Sequence, residues 1–170
     1  MALLPILEVP DPRLRQKAAP VPVVDERVRA LLNDMLETMY AAPGIGLAAP
    51  QVGVAQRMIV VDVGPKEEPK PIRLINPEVL SLSEEQAEAE EGCLSLPNQF
   101  APVNRAASVK VRYMDELGQD QEIEAEGLLA RCLQHEIDHL DGVLFTDRLS
   151  RLKREMLLKK LEKQRRQRAG

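Results

Sequence analysis

Gly127-Leu128-Leu129-Ala130-Arg131-Cys132-Leu133-Gln134-His135-Glu136-Ile137-Asp138-His139-Leu140 is the stretch on which the fold turns. Leu128, Leu129, Cys132 and Leu133 recur at helical spacing, which predicts a helix from about Gly127 to Leu140. Its second half reads H-E-x-x-H. Residues four apart lie one turn apart on the same face. Two imidazoles placed so can converge on one cation, with the intervening Glu136 reaching a water bound to it. The chain has two histidines, and both fall in this motif.

A catalytic site of this kind needs a third protein ligand and an open fourth position. One group of proteases continues the motif to a third His after x-x-G-x-x; here Gly142 matches the glycine, but Phe145 stands in the ligand position. The ligand therefore comes from elsewhere. Cys132 shares the helical face, yet it is seven residues from His139. That is about 10.5 Å along a helix axis, against metal–ligand bonds of about 2.0–2.3 Å. Cys132 reads instead as a buried thiol that can line a pocket. Cys93, in Glu90-Glu91-Gly92-Cys93-Leu94-Ser95-Leu96-Pro97, reads by itself as a thiol at a sheet edge. Beside an H-E-x-x-H short of a ligand, a His-His-Cys site is the better reading.

Outward from this helix, five prolines in the first 22 residues predict mostly extended chain, with one helical turn after Asp11. Asp25 is placed as an N-cap, and Val28, Leu31, Leu32, Met35, Leu36 and Met39 predict an amphipathic helix over 26–41, ended by Pro43 and Gly44. RMIVVDV (57–63) and IRLINPEVL (72–80) read as strands; SVKVRYMD (108–115) and QEIEAEG (121–127) alternate and read as an antiparallel hairpin. A last helix is expected from about Leu149 to Gln164, with an apolar stripe of Leu152, Met156 and Leu161. This order predicts an α+β fold: largely antiparallel strands around a central helix carrying H-E-x-x-H, with a C-terminal helix.

With 170 residues, 44% hydrophobic and 29% charged, the chain suits one globular domain. Two Tyr, two Phe and no Trp leave the core to aliphatic residues and Met. Two cysteines are too few for a disulfide framework, and the start has neither the basic lead nor the long apolar run of a secretory signal. No run approaches the roughly 18 apolar residues that span a bilayer. The expectation is a cytoplasmic protein with no membrane partner. The net charge of −4 divides unevenly: residues 151–170 hold nine Lys/Arg and two Asp/Glu, while the remaining residues hold 14 and 25. A tail of +7 on a body of −11 can steer toward an anionic partner. It carries no aromatics, so base stacking is not indicated.

Gly44-Ile45-Gly46-Leu47-Ala48-Ala49-Pro50-Gln51 contains a G-x-G-x-x-A pattern. A dinucleotide fingerprint requires a strand before it and a helix after it, and here a predicted helix and Pro43 precede. Taken with EGCLS (91–95) and HEIDH (135–139), however, GIGLAAPQ (44–51) completes an ordered triple. That triple resembles the peptide deformylase family, whose motifs are G-x-G-L-A-A-x-Q, E-G-C-L-S and H-E-x-D-H. The resemblance covers the chain from the proline-rich start to the last helix. It implies residues 1–148 as the catalytic domain, with 149–170 a basic helix of the same single-domain chain.

The resemblance also implies roles. Cys93, His135 and His139 become the ligands of one divalent ion, Fe2+ in the cell, with Zn2+, Ni2+ or Co2+ able to substitute. Glu136 becomes the general acid/base, and Gln51 and the Leu94 backbone N–H become oxyanion donors. Ile45, Gly46, Gly92, Leu128 and Cys132 fall where the family lines its peptide and methionine pocket. Phe100 and Arg131 depart from some relatives, which carry Arg and an aliphatic residue there, and both positions are expected at the substrate rim. The implied substrate is a formyl-methionyl nascent peptide, handled by a monomer near the ribosome through the basic tail. Two other readings share parts of the pattern: a zinc endopeptidase, which casein cleavage without formyl release would favour, and a ribosome-associated module with a structural metal, which a fourth protein ligand would favour.

Overall fold

In a computed structural model that describes residues 3–169, the decisive helix, α2, runs Gly127–Leu140. It is the third-to-last element of a chain that otherwise builds α1 (Glu26–Ala41), seven strands and α3 (Arg151–Ala169), with short 3-10 turns between. The strands are β1 (Gly46–Ala48), β2 (Met58–Val61), β3 (Ile72–Leu82), β4 (Gln86–Cys93), β5 (Leu96–Ala106), β6 (Ser108–Met114) and β7 (Asp120–Glu126). The fold is α+β and every strand pair is antiparallel.

Asp25 caps α1 as expected, its carboxylate accepting from Val28 N at 3.1 Å. The main sheet has the order β1-β2-β3-β6-β7 and separates two cores. On one face α1 packs Leu32, Met35, Leu36 and Met39 against Met58, Val60 and Ile75. On the other, α2 packs Ala130, Leu133, Ile137 and Leu140 against Ile59, Val61, Leu74, Val109 and Val111. β2 is therefore covered on both sides, which is why its sequence is a continuous apolar run rather than an alternation.

β4 and β5 form a separate two-stranded sheet on the far side of α2 and were not among the strands read from sequence. Gln86–Glu90 are all exposed, so β4 has no apolar face to betray it. Pro97 and Pro102 argue against β5, but a two-stranded sheet consists of edges, where proline is tolerated. α2 thus lies between the main sheet and this hairpin. Its polar second half, which could not sit in an ordinary core, is enclosed by strands on both sides.

The last helix begins at Arg151, and its buried stripe differs from the expected one. Leu157 and Leu161 are buried with Leu96, Val103 and Phe145, whereas Leu152 and Met156 are 68% and 52% exposed. Leucines at 152, 157, 158 and 161 permit more than one stripe. Contact with β5 and Phe145 selects the one rotated by a residue. Among the described residues, no helix is long and apolar enough to cross a membrane.

Candidate metal centre

Three elements supply the site. α2 presents His135, Glu136 and His139, which are 7%, 5% and 1% exposed. The end of β4 brings Cys93 to them, with Leu94 and Ser95 in the turn into β5. The GIGLAAPQ segment forms β1 and then a 3-10 turn, Ala49–Val52, that aims Gln51 at the same place.

One donor atom each from Cys93, His135 and His139 lies within 4.8 Å of the others. Cys93 Sγ and His139 Nε2 are 3.4 Å apart. Two donors bonded to one ion at about 2.0 and 2.3 Å, in tetrahedral arrangement, stand about 3.5 Å apart, so this spacing suits a shared ion. His135 Nδ1 is engaged with Glu91 Oε1 at 2.8 Å, which leaves Nε2 as its ligating atom. One thiolate and two imidazoles suit Zn2+, Fe2+, Co2+ or Ni2+. Glu136 Oε1 and His139 Nδ1 are buried without a hydrogen-bond partner in the protein. An unpartnered carboxylate oxygen beside this donor set is what a site that holds an ionisable water requires. The residues present fit a divalent ion.

Cys132 stays outside the donor group, as the helix geometry predicts. It is 4% exposed, and its Sγ lies 3.5 Å from the Ile45 carbonyl. Gln51 is held by its own turn, Oε1 accepting from Ala48 N at 2.9 Å. Its Nε2 donates to Ser95 Oγ at 3.1 Å and approaches Cys93 Sγ at 3.5 Å.

Electrostatics here follow from burial and from one carboxylate. Burial pushes the Glu136 carboxyl up to about 7, against the pull of His135 and Arg105. Burial also works against a charged His135, but Glu136, Cys93 and Glu91 outweigh it and raise its pKa well above the ordinary value. His139 is held well below, by burial and by the neighbouring His135 and Arg105. Burial opposes ionisation of Glu91 as well, yet its bonds to His135 and Arg105 bring it down to about 2.

Sequence reasoning missed this carboxylate's role. Glu91 accepts from Arg105 Nε at 2.5 Å and Nη2 at 2.9 Å, and from Arg131 Nη1 at 2.6 Å, besides its bond to His135. Arg105 in turn reaches Asp138 at 2.9 Å, which also accepts from Arg148. A signal for Glu91 existed: metal-bound His commonly gives its second N–H to a carboxylate, and a residue two before Cys93 on a strand shares its face. Phe145, excluded as a ligand, stacks on His135 with ring centroids 6.0 Å apart.

A cavity of about 740 Å³ opens beside the centre, lined by Ile45, Gly46, Gln51, Gly92, Cys93, Leu94, Leu128, Cys132, His135 and Glu136, with Phe100 and Arg131 at its wall. All the residues expected to line a pocket therefore border it, though Ile45 and Leu128 are 43% and 54% exposed at its mouth. Phe100 lies across the Gly92 backbone, where a Cβ would fall 2.4 Å from its ring. Arg131 borders the cavity as a rim position should, while its guanidinium is bound into the Glu91 network.

An α+β chain with a His-His-Cys group on a buried H-E-x-x-H helix, opening on a small-molecule-sized cavity, has the architecture of a hydrolytic metalloenzyme. Residues 3–155 match the polypeptide deformylase family. The peptide deformylase of Rhizorhabdus wittichii is 59% identical over 174 residues, covering 99% of this chain and 98% of that protein. Among solved structures, a peptide deformylase from Legionella pneumophila superposes with a TM-score of 0.92 at 51% identity, covering 99% of this chain and 98% of that one. The Ehrlichia chaffeensis peptide deformylase in complex with actinonin gives 0.92 at 44% identity, covering 96% and 98%. This chain belongs to the polypeptide deformylase family and is an enzyme of that kind.

Proposed function

We propose that the protein removes the N-formyl group from the N-terminal formyl-methionine of nascent polypeptides, releasing formate, and that it does so with one divalent ion held by Cys93, His135 and His139. The observation that carries this reading is the convergence of those three donors with a buried, unpartnered Glu136 oxygen at the wall of an apolar cavity. Among the described residues the donor group has three members, which leaves a position for water or substrate and argues against a closed structural site.

A divalent ion held by Cys93, His135 and His139 would supply Lewis acidity and would lower the pKa of a bound water toward about 7. Glu136 takes the proton of the attacking water, whose oxygen adds to the formyl carbon. Negative charge then builds on the formyl oxygen. Gln51 Nε2 donates to it, turning from its long contact with Cys93 Sγ, and the Leu94 N–H is the second donor. As the C–N bond breaks, Glu136 delivers the proton to the departing amine. Glu136 is buried beside the donor group with one oxygen unpartnered, a placement that suits a group that must both accept and return a proton.

Ile45, Gly46, Gly92, Leu128 and Cys132 form the slot for the methionine side chain, and the following peptide lies along the open edge of β4 as an added strand. Iron is the physiological ion, and residues 149–170 act as a basic helix on the 1–148 catalytic unit, holding a cytoplasmic monomer near ribosomal RNA. Equal activity after anaerobic loading with iron or zinc would remove the argument for iron.

The test is formate release from formyl-Met-Ala-Ser by anaerobically prepared protein, beside Glu136→Ala and Cys93→Ala. Release by wild type that both variants lose by at least about 10²-fold, the scale of a lost general base, is expected. No release from metal-replete wild type would overturn the proposal.

A further inference from the structure

Arg131 sits one helical turn before His135 on α2, with its side chain 11% exposed. Its Nη1 donates to Glu91 Oε2 at 2.6 Å and to the Val103 carbonyl at 2.9 Å, while Nη2 donates to the Ala87 carbonyl at 2.7 Å. Ala87 belongs to β4 and Val103 to β5, so one guanidinium joins α2 to both strands of the hairpin and to Glu91. The same residue borders the cavity. A cavity wall needs only the aliphatic stem. Drawing a guanidinium out of water is costly unless each donor it aims inward finds an acceptor, and here three acceptors are in place.

What these bonds do is set by Glu91. Its Oε1 receives His135 Nδ1 and Arg105 Nη2; its Oε2 receives Arg105 Nε and Arg131 Nη1. Arg105 is shared, because its Nη1 bonds Asp138. Arg131 therefore adds a second donor, beside Arg105 Nε, on the oxygen that does not touch the histidine, and braces the carboxylate from the helix that carries His135. The orientation of a ligating imidazole depends on the partner of its second nitrogen.

Resting on the metallohydrolase reading above, we infer that Arg131 is a positioning residue of the metal centre: by fixing Glu91 against His135 Nδ1 it keeps the imidazole Nε2 turned toward Cys93 and His139, and so slows loss of the ion. Arg131 also borders the cavity, and that role is tested separately through Leu128, which lines the same cavity.

The experiment loads the full-length protein with Co2+, whose visible absorption reports thiolate ligation, and follows transfer of the ion to excess chelator well below the melting temperature. Arg131→Met keeps an apolar stem and removes all three donor bonds; Arg131→Lys keeps the charge but cannot bridge three acceptors. Leu128→Ala alters the cavity wall without touching Glu91. Arg131→Met is expected to release cobalt roughly tenfold faster than wild type, the low end of the 10–100-fold range for partners of metal ligands. Arg131→Lys should fall between, and Leu128→Ala should raise KM for formyl-Met-Ala-Ser while releasing cobalt at the wild-type rate. Release from Arg131→Met at the wild-type rate would overturn the inference, while stoichiometric cobalt in wild type would leave the metal reading standing. A wild type that holds no cobalt would overturn both. Should Arg131→Met fail to fold, Arg131→Lys decides: faster release supports the positioning role, and wild-type release refutes it.

Discussion

Glu136 is placed under two opposing demands, since burial resists its ionisation and the proton transfer proposed for it requires ionisation. Gly46 is part of the solution. A Cβ at that position would lie 2.5 Å from Glu136 Oε2 and 2.8 Å from Cys132 Sγ, so β1 approaches α2 as closely as it does only because no side chain intervenes. Gly46→Ala is expected to displace the Glu136 carboxylate and lower kcat by more than about tenfold. Its cost in stability should be about 1–3 kcal/mol, the range for overpacking. Formate-release kinetics alongside thermal melts would check this, and unchanged kcat would show that Glu136 tolerates the shift. At this scale much was legible. His135, Glu136 and His139 announced themselves by spacing, and Cys93 by the missing third ligand. Glu91 was not, because a carboxylate among Glu84, Glu85, Glu88 and Glu90 looks like any other until burial singles it out.

Elements are tied together by contacts of unequal worth. On α3, Leu161 is 2% exposed among Leu96, Val103 and Phe145, while Leu152 is 68% exposed. Leu161→Ala should cost about 2–5 kcal/mol in denaturant unfolding, whereas Leu152→Ala should stay within about 0.5 kcal/mol. A cost for Leu152→Ala as large as that for Leu161→Ala would restore the stripe expected from sequence, which held both residues. Between α1 and the end of β2, the Tyr40 hydroxyl donates to Asp62 at 2.5 Å, and Asp62 also accepts from Gly64 N and Lys70 N. Burial, then the Asp62 bond and charge, push the Tyr40 pKa from 10.0 up to about 12. A phenol whose folded pKa is raised stabilises fully below its unfolded value, and that contribution disappears as pH rises through the folded one. Relative to Tyr40→Phe, wild type should hold a constant advantage from neutral pH to about 10, where Asp62 is ionised, and lose it between pH 10 and 12. A difference flat through that window would mean the bond contributes nothing. The helices over 26–41 and 127–140 and the 108–126 hairpin were legible from periodicity, since each buries one face. β4 and β5 were not: β4 is acidic and exposed over most of its length, and β5 buries alternate residues that include Gln99 and Arg105, so its period is not an apolar one.

Over the whole molecule the charge is segregated, and α3 holds the basic share. Its far end folds back on the N-terminal segment, with Arg168 reaching Glu8 at 3.2 Å and Arg165 reaching the Val9 carbonyl at 3.4 Å. Deleting the helix would also remove Leu157 and Leu161 from a core cluster that contains Leu96 and Phe145, so truncation is a poor test of the tail's charge. Lys159, Lys160 and Lys163 are exposed and can be changed in place. Lys159→Glu/Lys160→Glu/Lys163→Glu is expected to weaken ribosome binding and flatten its salt dependence, with kcat/KM on formyl-Met-Ala-Ser kept. Sedimentation with ribosomes across a salt series would measure it, and unchanged binding would remove the tail from the recognition surface.

By itself the sequence determined the α+β class, the helix that carries His135 and His139, the separation of body and tail charge, and a candidate His-His-Cys group whose members the structure brings together. Those features are local, or are recorded as a period or a motif along the chain. Only the tertiary structure decided that α2 lies between the main sheet and the β4–β5 hairpin, that Glu91 is clamped by Arg105 and Arg131 against His135, and which face of α3 is buried. Each of these depends on which elements meet in space, across 14 residues for Glu91 and Arg105 and across 44 for Glu91 and His135. A polar side chain carries no mark of burial until the element that covers it is in place.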